Sequence, residues 1–139
     1  MREILFRGKT IATDKWIQGG YYSAGSRTFI VAEVEFETNW NIDTQTYKGY
    51  RMYEVHPNSV GQYIDDTDHN GTKIFEGDIV REYNNDEDGY AQVFWEDQSS
   101  QFSIIWPGLL SDFDSFYGHE LEVIGNIYDD PELLERSCM

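Results

Sequence analysis

Apolar and polar residues alternate along much of this chain. Between residues 27 and 37, Ile30, Ala32, Val34 and Phe36 share one parity, and Glu33, Glu35 and Glu37 the other. A period of two predicts a half-buried strand. The same rhythm sets Ala91, Val93 and Trp95 against Gln92 and Glu96, and Phe102, Ile104 and Trp106 against Gln101 and Ser103. It recurs in Leu121, Val123 and Ile127 against Glu120, Glu122 and Asn126, with Gly125 between them. Tyrosine and β-branched residues predict further strands at 3–7, 15–22, 47–55, 61–64 and 78–83. Several short strands at this spacing predict a mainly β fold, either a sandwich or a small barrel.

Helix signals are sparse. Asp130-Pro131-Glu132-Leu133-Leu134-Glu135 predicts one short terminal helix, with Asp130 as N-cap and Pro131 in the first turn. Ser111 followed by Asp114 is a capping-box pattern that predicts a helical turn. Residues 39–46 and 83–89 read as loops, the second containing Asp86-Glu87-Asp88. There is no internal repeat.

Composition narrows the function classes. The chain has 139 residues, 40% of them hydrophobic and 16% aromatic, enough for one well-filled core. Cys138 is the single cysteine, which excludes a disulfide framework and a multi-cysteine zinc site. No apolar run approaches the ~18 residues a membrane span needs. Charges among the first nine residues break any apolar leader, which predicts an intracellular protein.

The net charge is −16, from 10 bases and 26 acids. It is not evenly spread. Residues 1–55 hold seven bases and seven acids, whereas 56–139 hold three bases and nineteen acids. The sequence therefore divides into an electroneutral, β-rich N-terminal region, 1–55, and a strongly acidic remainder, 56–139. Such asymmetry marks an interaction surface, or a solvated face that keeps the protein dispersed. It disfavours phosphate-backbone binding, which rests on Lys and Arg.

Asp66-Thr67-Asp68-His69-Asn70-Gly71 matches the opening of a calcium loop, with oxygen ligands at alternate positions and a glycine at the sharp turn. The closing glutamate does not fit. Position 12 of the loop is Gly77, and Glu76 comes one residue early. The flanks are strand-like. A β-hairpin turning on Asn70-Gly71 in type I′ geometry accounts for the same residues. His56, His69 and His119 lack metal-ligand spacing, and no nucleophile elbow, phosphate loop or dinucleotide fingerprint is present. No catalytic residue, cofactor or metal is therefore assigned.

Twenty-two aromatic residues could stack nucleic-acid bases, but those after residue 56 lie among acids. Trp95, Phe102 and Trp106 read instead as barrel core. Tyr21, Tyr22, Tyr47, Tyr50 and Tyr53, in the electroneutral region, are candidates for an interface.

Ile74-Phe75-Glu76-Gly77-Asp78-Ile79-Val80 resembles a block of the YopX family of phage and prophage proteins. The resemblance begins at Arg2-Glu3-Ile4-Leu5-Phe6-Arg7-Gly8-Lys9 and Trp16-Ile17-Gln18-Gly19. It continues through Val55-His56-Pro57, Val60-Gly61-Gln62-Tyr63 and the Asp68–Lys73 turn, and ends in Leu121-Glu122-Val123-Ile124-Gly125-Asn126-Ile127-Tyr128-Asp129 followed by Pro131-Glu132-Leu133-Leu134. It implies a phage or prophage origin and a mainly β structure, with an SH3-like barrel in the C-terminal part. It implies no activity. Within these blocks Gly77 suits a positive φ, Asp78 a turn hydrogen bond, Gly125 a bulge, and Asn126 the backbone groups such a bulge exposes.

The expectation is a non-enzymatic protein-interaction module in the host cytoplasm, whose acidic half docks on a basic surface of a host or phage protein. Two alternatives are a nucleic-acid-binding barrel using bases in 1–55, and a magnesium-dependent enzyme with a dispersed carboxylate site. A homo-oligomer, if formed, is expected to join through 1–55, because a −16 surface repels its copy.

Overall fold

The alternation at 27–37 belongs to a strand that runs further than its pattern. In a computed structural model, which describes residues 2–40, 43–85, 89–97, 101–105 and 118–136, that strand reaches Trp40. The expected Ser111 turn, the run Asp86-Glu87-Asp88, Trp106 and Cys138 lie outside the described residues. The protein is mainly β, with ten strands and one short helix among those residues. It divides into two compact units, one of residues 4–60 and one of 61–139 with 1–3. The division falls at 60/61, five residues beyond the 55/56 split in charge. Residues 56–59 stay with the N-terminal strands because His56 N donates to Lys9 O at 2.9 Å and Lys9 N to Ser59 Oγ at 2.8 Å.

The N-terminal unit holds β1 (Phe6–Lys9), β2 (Trp16–Ala24), β3 (Arg27–Trp40) and β4 (Asp43–Val55). They pair antiparallel in the order β4-β3-β2-β1. The sheet curls until its ends meet at a Thr10–Val55 bridge, where Ile11 N donates to Glu54 O at 3.0 Å. Ile30 and Val55 fill the curl and are fully buried. β2 pairs with β3 only as far as Val31. Beyond it, residues 32–40 and 43–51 form a two-stranded ribbon about 30 Å long. The loop expected at 39–46 is therefore largely strand. Pairing runs to Trp40↔Asp43, and the polar residues that read as loop are ribbon residues.

The second unit begins with the hairpin of β5 (Gly61–Thr67) and β6 (Lys73–Phe75). A four-stranded antiparallel sheet follows in the order β10-β7-β8-β9, from β7 (Asp78–Glu82), β8 (Ala91–Glu96), β9 (Gln101–Ile105) and β10 (Leu121–Asn126). Register places Val80, Ala91, Val93, Ile104, Leu121 and Val123 on one face. Ile74 and Ile64 of the hairpin pack against that face, forming one aliphatic cluster. Each fully buried Val, Ile or Leu contributes about 1.5–3 kcal/mol.

Several expectations need correction. Trp95 does not join this core. It is 40% exposed and meets Phe102, its cross-strand partner, edge-on with 5.0 Å between ring centroids. Among the described residues β9 and β10 are the outer strands of an open order, so no closed barrel is found. The terminal helix, α1 (Glu132–Arg136), starts later than Asp130, whose carboxylate turns back to accept from Asn126 N at 3.3 Å. No helix among the described residues is long and apolar enough to cross a membrane.

Two neighbouring glycines test this packing. A Cβ on Gly19 would lie 2.1 Å from the Val31 carbonyl oxygen, whereas one on Gly20 would meet nothing within 4 Å. Gly19→Ala must push two strands apart and is expected to cost about 1–3 kcal/mol. Gly20→Ala is expected to leave stability within about 0.5 kcal/mol. Urea denaturation of the two variants checks the contrast.

Candidate functional site

The residues that read as a calcium loop form a backbone clamp. The β5–β6 turn closes with Gly71 N donating to Asp68 O at 3.0 Å and Asp68 N to Thr72 O at 2.8 Å. Gly71 has φ +83°, and Asn70 is not among the residues of positive φ. The type I′ turn expected on Asn70-Gly71 is thus replaced by a turn over 68–71 that ends on a left-handed glycine. Asp68 is buried, at 4% exposure, and both its oxygens are occupied. Oδ1 accepts from Asn70 N and Thr72 N, each at 2.9 Å, and Oδ2 accepts from Val123 N at 2.9 Å.

Asp66 acts the same way, with Oδ1 accepting from Thr67 N and Oδ2 from Gly118 N, both at 2.8 Å. Each oxygen of both carboxylates thus accepts at least one backbone N–H. His69 N donates to Leu121 O at 2.9 Å, and its ring stacks on Tyr83 with 3.5 Å between centroids. Among the described residues no three His, Cys, Asp or Glu side chains converge as metal ligands.

The four family-motif residues come together at the β7–β10 pairing, where Asn126 lies opposite Asp78 and Gly125 opposite Ile79. Gly77 turns the chain from β6 into β7 at φ +93°. Its N–H donates to Val93 O and its carbonyl accepts from Ile127 N, both at 2.8 Å. One residue thus ties the start of β7 to β8 and to the end of β10. Asp78, 1% exposed, accepts from Phe75 N through Oδ2 at 2.7 Å and fixes that turn. Register slips between Val123 and Gly125. A Cβ on Gly125 would stand 2.7 Å from Asp130 Oδ2 and 3.0 Å from Leu133 Cδ1, so the glycine lets α1 settle on β10. Asn126 Oδ1 accepts from Tyr128 N at 3.0 Å and Asp129 N at 2.9 Å, capping the turn after β10. Beside this junction Arg81 donates through Nε and Nη2 to Glu122 Oε2, at 3.0 and 2.8 Å, from directly opposed positions.

The five interface tyrosines are not one patch. Pairing of Tyr21 and Tyr53 with Ile30, and of Tyr47 with Phe36, puts these three on the curled inner face. Tyr22 and Tyr50 lie on the opposite face, with Phe29 and Glu33. Tyr53 is half-buried and the other four are exposed, Tyr50 the most at 74%. Phe36 shares the inner face with Tyr47, and its ring lies over Gly49 with the Arg51 guanidinium 5.5 Å from its centroid. Arg27 also stacks, 5.0 Å from the Phe29 ring, while Arg27 Nη2 donates to Glu54 at 3.0 Å. The glutamate's hydrogen bond and charge raise the Arg27 pKa above its ordinary value.

Comparisons with known proteins bear on the family and the fold. A family model described as YopX protein matches residues 5–135. The crystal structure of protein EF1440 from Enterococcus faecalis superposes with a TM-score of 0.54 at 19% identity, covering 96% of this chain and 99% of that one. At that identity the likeness concerns the fold. No curated protein matches the chain.

Asp68→Ala leaves three N–H groups without their acceptor and is expected to destabilise by about 2–5 kcal/mol. Millimolar Ca²⁺ is expected to leave the wild-type melting temperature unmoved. Calorimetry of the two proteins with and without calcium checks both outcomes.

Proposed function

The chain belongs to the YopX family, and from that premise we propose that it is a phage or prophage accessory protein, working in the host cytoplasm as a non-enzymatic protein-interaction module. The observation that carries this reading is the segregation of charge between the units. Residues 4–60 hold six bases and six acids, whereas residues 1–3 with 61–139 hold four bases and twenty acids, a net −16. Asp66, Asp68 and Asp78 serve the backbone. Glu82, Glu120, Asp129, Glu132 and Glu135 stand exposed on strand ends, the last turn and α1. An acidic surface on a hydrogen-bonded frame suits a host or phage protein with a basic face, and makes association fast and salt-sensitive.

We read residues 61–128 as a variant of the SH3-like barrel. The support is the single aliphatic cluster that the β5–β6 hairpin covers from one side. Nucleic acid fits less well. Five of the six bases of the neutral unit face partners within it. Arg7 and Lys9 lie over Trp16, Arg27 meets Glu54, Lys48 meets Glu33, and Arg51 lies over Phe36.

Combining Glu82→Gln, Glu120→Gln, Glu132→Gln and Glu135→Gln tests the proposal. In low-salt affinity capture from infected host cells, the wild type is expected to retain a basic protein that moderate salt releases and the quadruple variant does not hold. Equal retention by wild type and variant overturns the reading.

A further inference from the structure

The neutral unit offers a second surface, independent of the acidic one. β4 is an edge strand, and the backbone groups along that edge can be identified. Glu54 O accepts from Ile11, and His56 N donates to Lys9, both on the side away from β3. Alternation along an antiparallel strand then aims the N–H and C=O of 44, 46, 48, 50 and 52 outward as well. From 44 to 53 the strand reads Thr-Gln-Thr-Tyr-Lys-Gly-Tyr-Arg-Met-Tyr, with no proline and no acid. A long straight edge of this kind is a template for another strand.

The sequence of the edge selects its partner. Only pairings that bring like faces together keep one face continuous across two copies related by a two-fold axis normal to the sheet. With that axis at Gly49, Tyr47 stands opposite Arg51 of the second copy and Lys48 opposite Tyr50. Every cation thus meets an aromatic ring, a contact worth about 0.5–1 kcal/mol at exposed sites. On the outer face each row reads Glu35, Lys48, then Tyr50 and Glu33 of the other copy, because Glu35 is paired with Lys48 and Glu33 with Tyr50 within one chain. On the inner face two glycines meet, each covered by its own Phe36 ring. The facing residues 48 and 50 both carry outward backbone groups, so the hydrogen bonds form in this register. An axis at Lys48 would oppose two lysines. The free edge of β3 beyond β2 carries Glu33, Glu35 and Glu37 and would oppose acids to acids.

We propose that the outer edge of β4, from Thr46 to Met52, pairs antiparallel with the same edge of a second copy about a two-fold axis at Gly49, joining the two ribbons there into a four-stranded sheet; beyond Met52 the Glu54 carbonyl is already taken by Ile11 N. Light scattering of the full chain is expected to give twice 16.3 kDa. Lys48→Pro removes an N–H that faces away from β3, so the ribbon survives while the mass falls to that of one chain. Register is read by disulfide trapping in a Cys138→Ser background. Gly49→Cys, with the Phe36 ring displaced, is expected to cross-link with itself, since opposed Cα atoms across such a pair lie about 4.5 Å apart. Thr46→Cys is expected not to, being about 20 Å from its copy. A monomeric wild type, a dimer that survives Lys48→Pro, or cross-linking at 46 in preference to 49 overturns the proposal.

Discussion

The buried Asp68 carboxylate accepts three backbone N–H groups, two from its own turn and one from 55 residues further along the chain, and the C-terminal unit is arranged around that contact. Asn70 and Thr72 belong to the hairpin turn, whereas Val123 belongs to β10, just before its register slips. The hairpin covers the aliphatic face of the sheet, so its position decides whether Ile74 reaches Val80, Val93 and Leu121. Apolar burial is non-directional and would accept a hairpin displaced by a residue. Hydrogen bonds to a charged acceptor, each worth about 1.5–3 kcal/mol, do not tolerate that shift. Asp66 on Gly118 and Asp78 on Phe75 extend the same device. Part of the acidic excess is thus internal scaffolding.

What the sequence displayed follows from how far each interaction reaches. β3, β8, β9 and β10 were legible because apolar and polar residues alternate along each, though the alternation overstates the contrast in β9, where Ser103 is as fully buried as its apolar neighbour Ile104. The ribbon tip was not, since both faces of residues 44–48 are exposed and no contrast exists to read. β6 is three residues long and too short for a period. Gly77 was legible from turn chemistry, because its φ of +93° is a local demand. The partners of Asp66 and Asp68 were not, since Gly118 and Val123 lie more than fifty residues away. The pattern of aspartates around a glycine was visible, but two chemistries use it, and only the distant donors distinguish them. The tyrosines were visible as a group, yet their division between two faces depends on pairing register.

The N-terminal sheet meets the opposite problem, a long surface with little to bury. Ile30 and Val55 are its fully covered apolar side chains, and both sit where the sheet curls onto itself. Along the ribbon the stabilising contacts are cross-strand pairs and aromatic rings laid over neighbours, such as Phe36 on Gly49. Isolated two-stranded ribbons are marginal in water. One this long keeps its order through the curl at its base and through whatever meets its edges. Lys48 and Arg51 deter indiscriminate pairing along β4, as edge cations commonly do. In the proposed register they turn from deterrents into contacts.

These two solutions explain why the charge is divided as it is. Carboxylates can serve as internal acceptors only where short strands and tight turns leave N–H groups to satisfy, which is the condition of residues 61–136. A ribbon pairs its inward backbone groups strand to strand and leaves the outward ones to water or another strand, so it has no such use for acids and its charges are free to balance. The balance matters for association, because two neutral edges approach without the repulsion that two −16 surfaces impose. The proposed self-association and the proposed capture of a basic partner thus fall to different units. Strengthening one by adding or removing charge in its own unit leaves the other's complementarity in place.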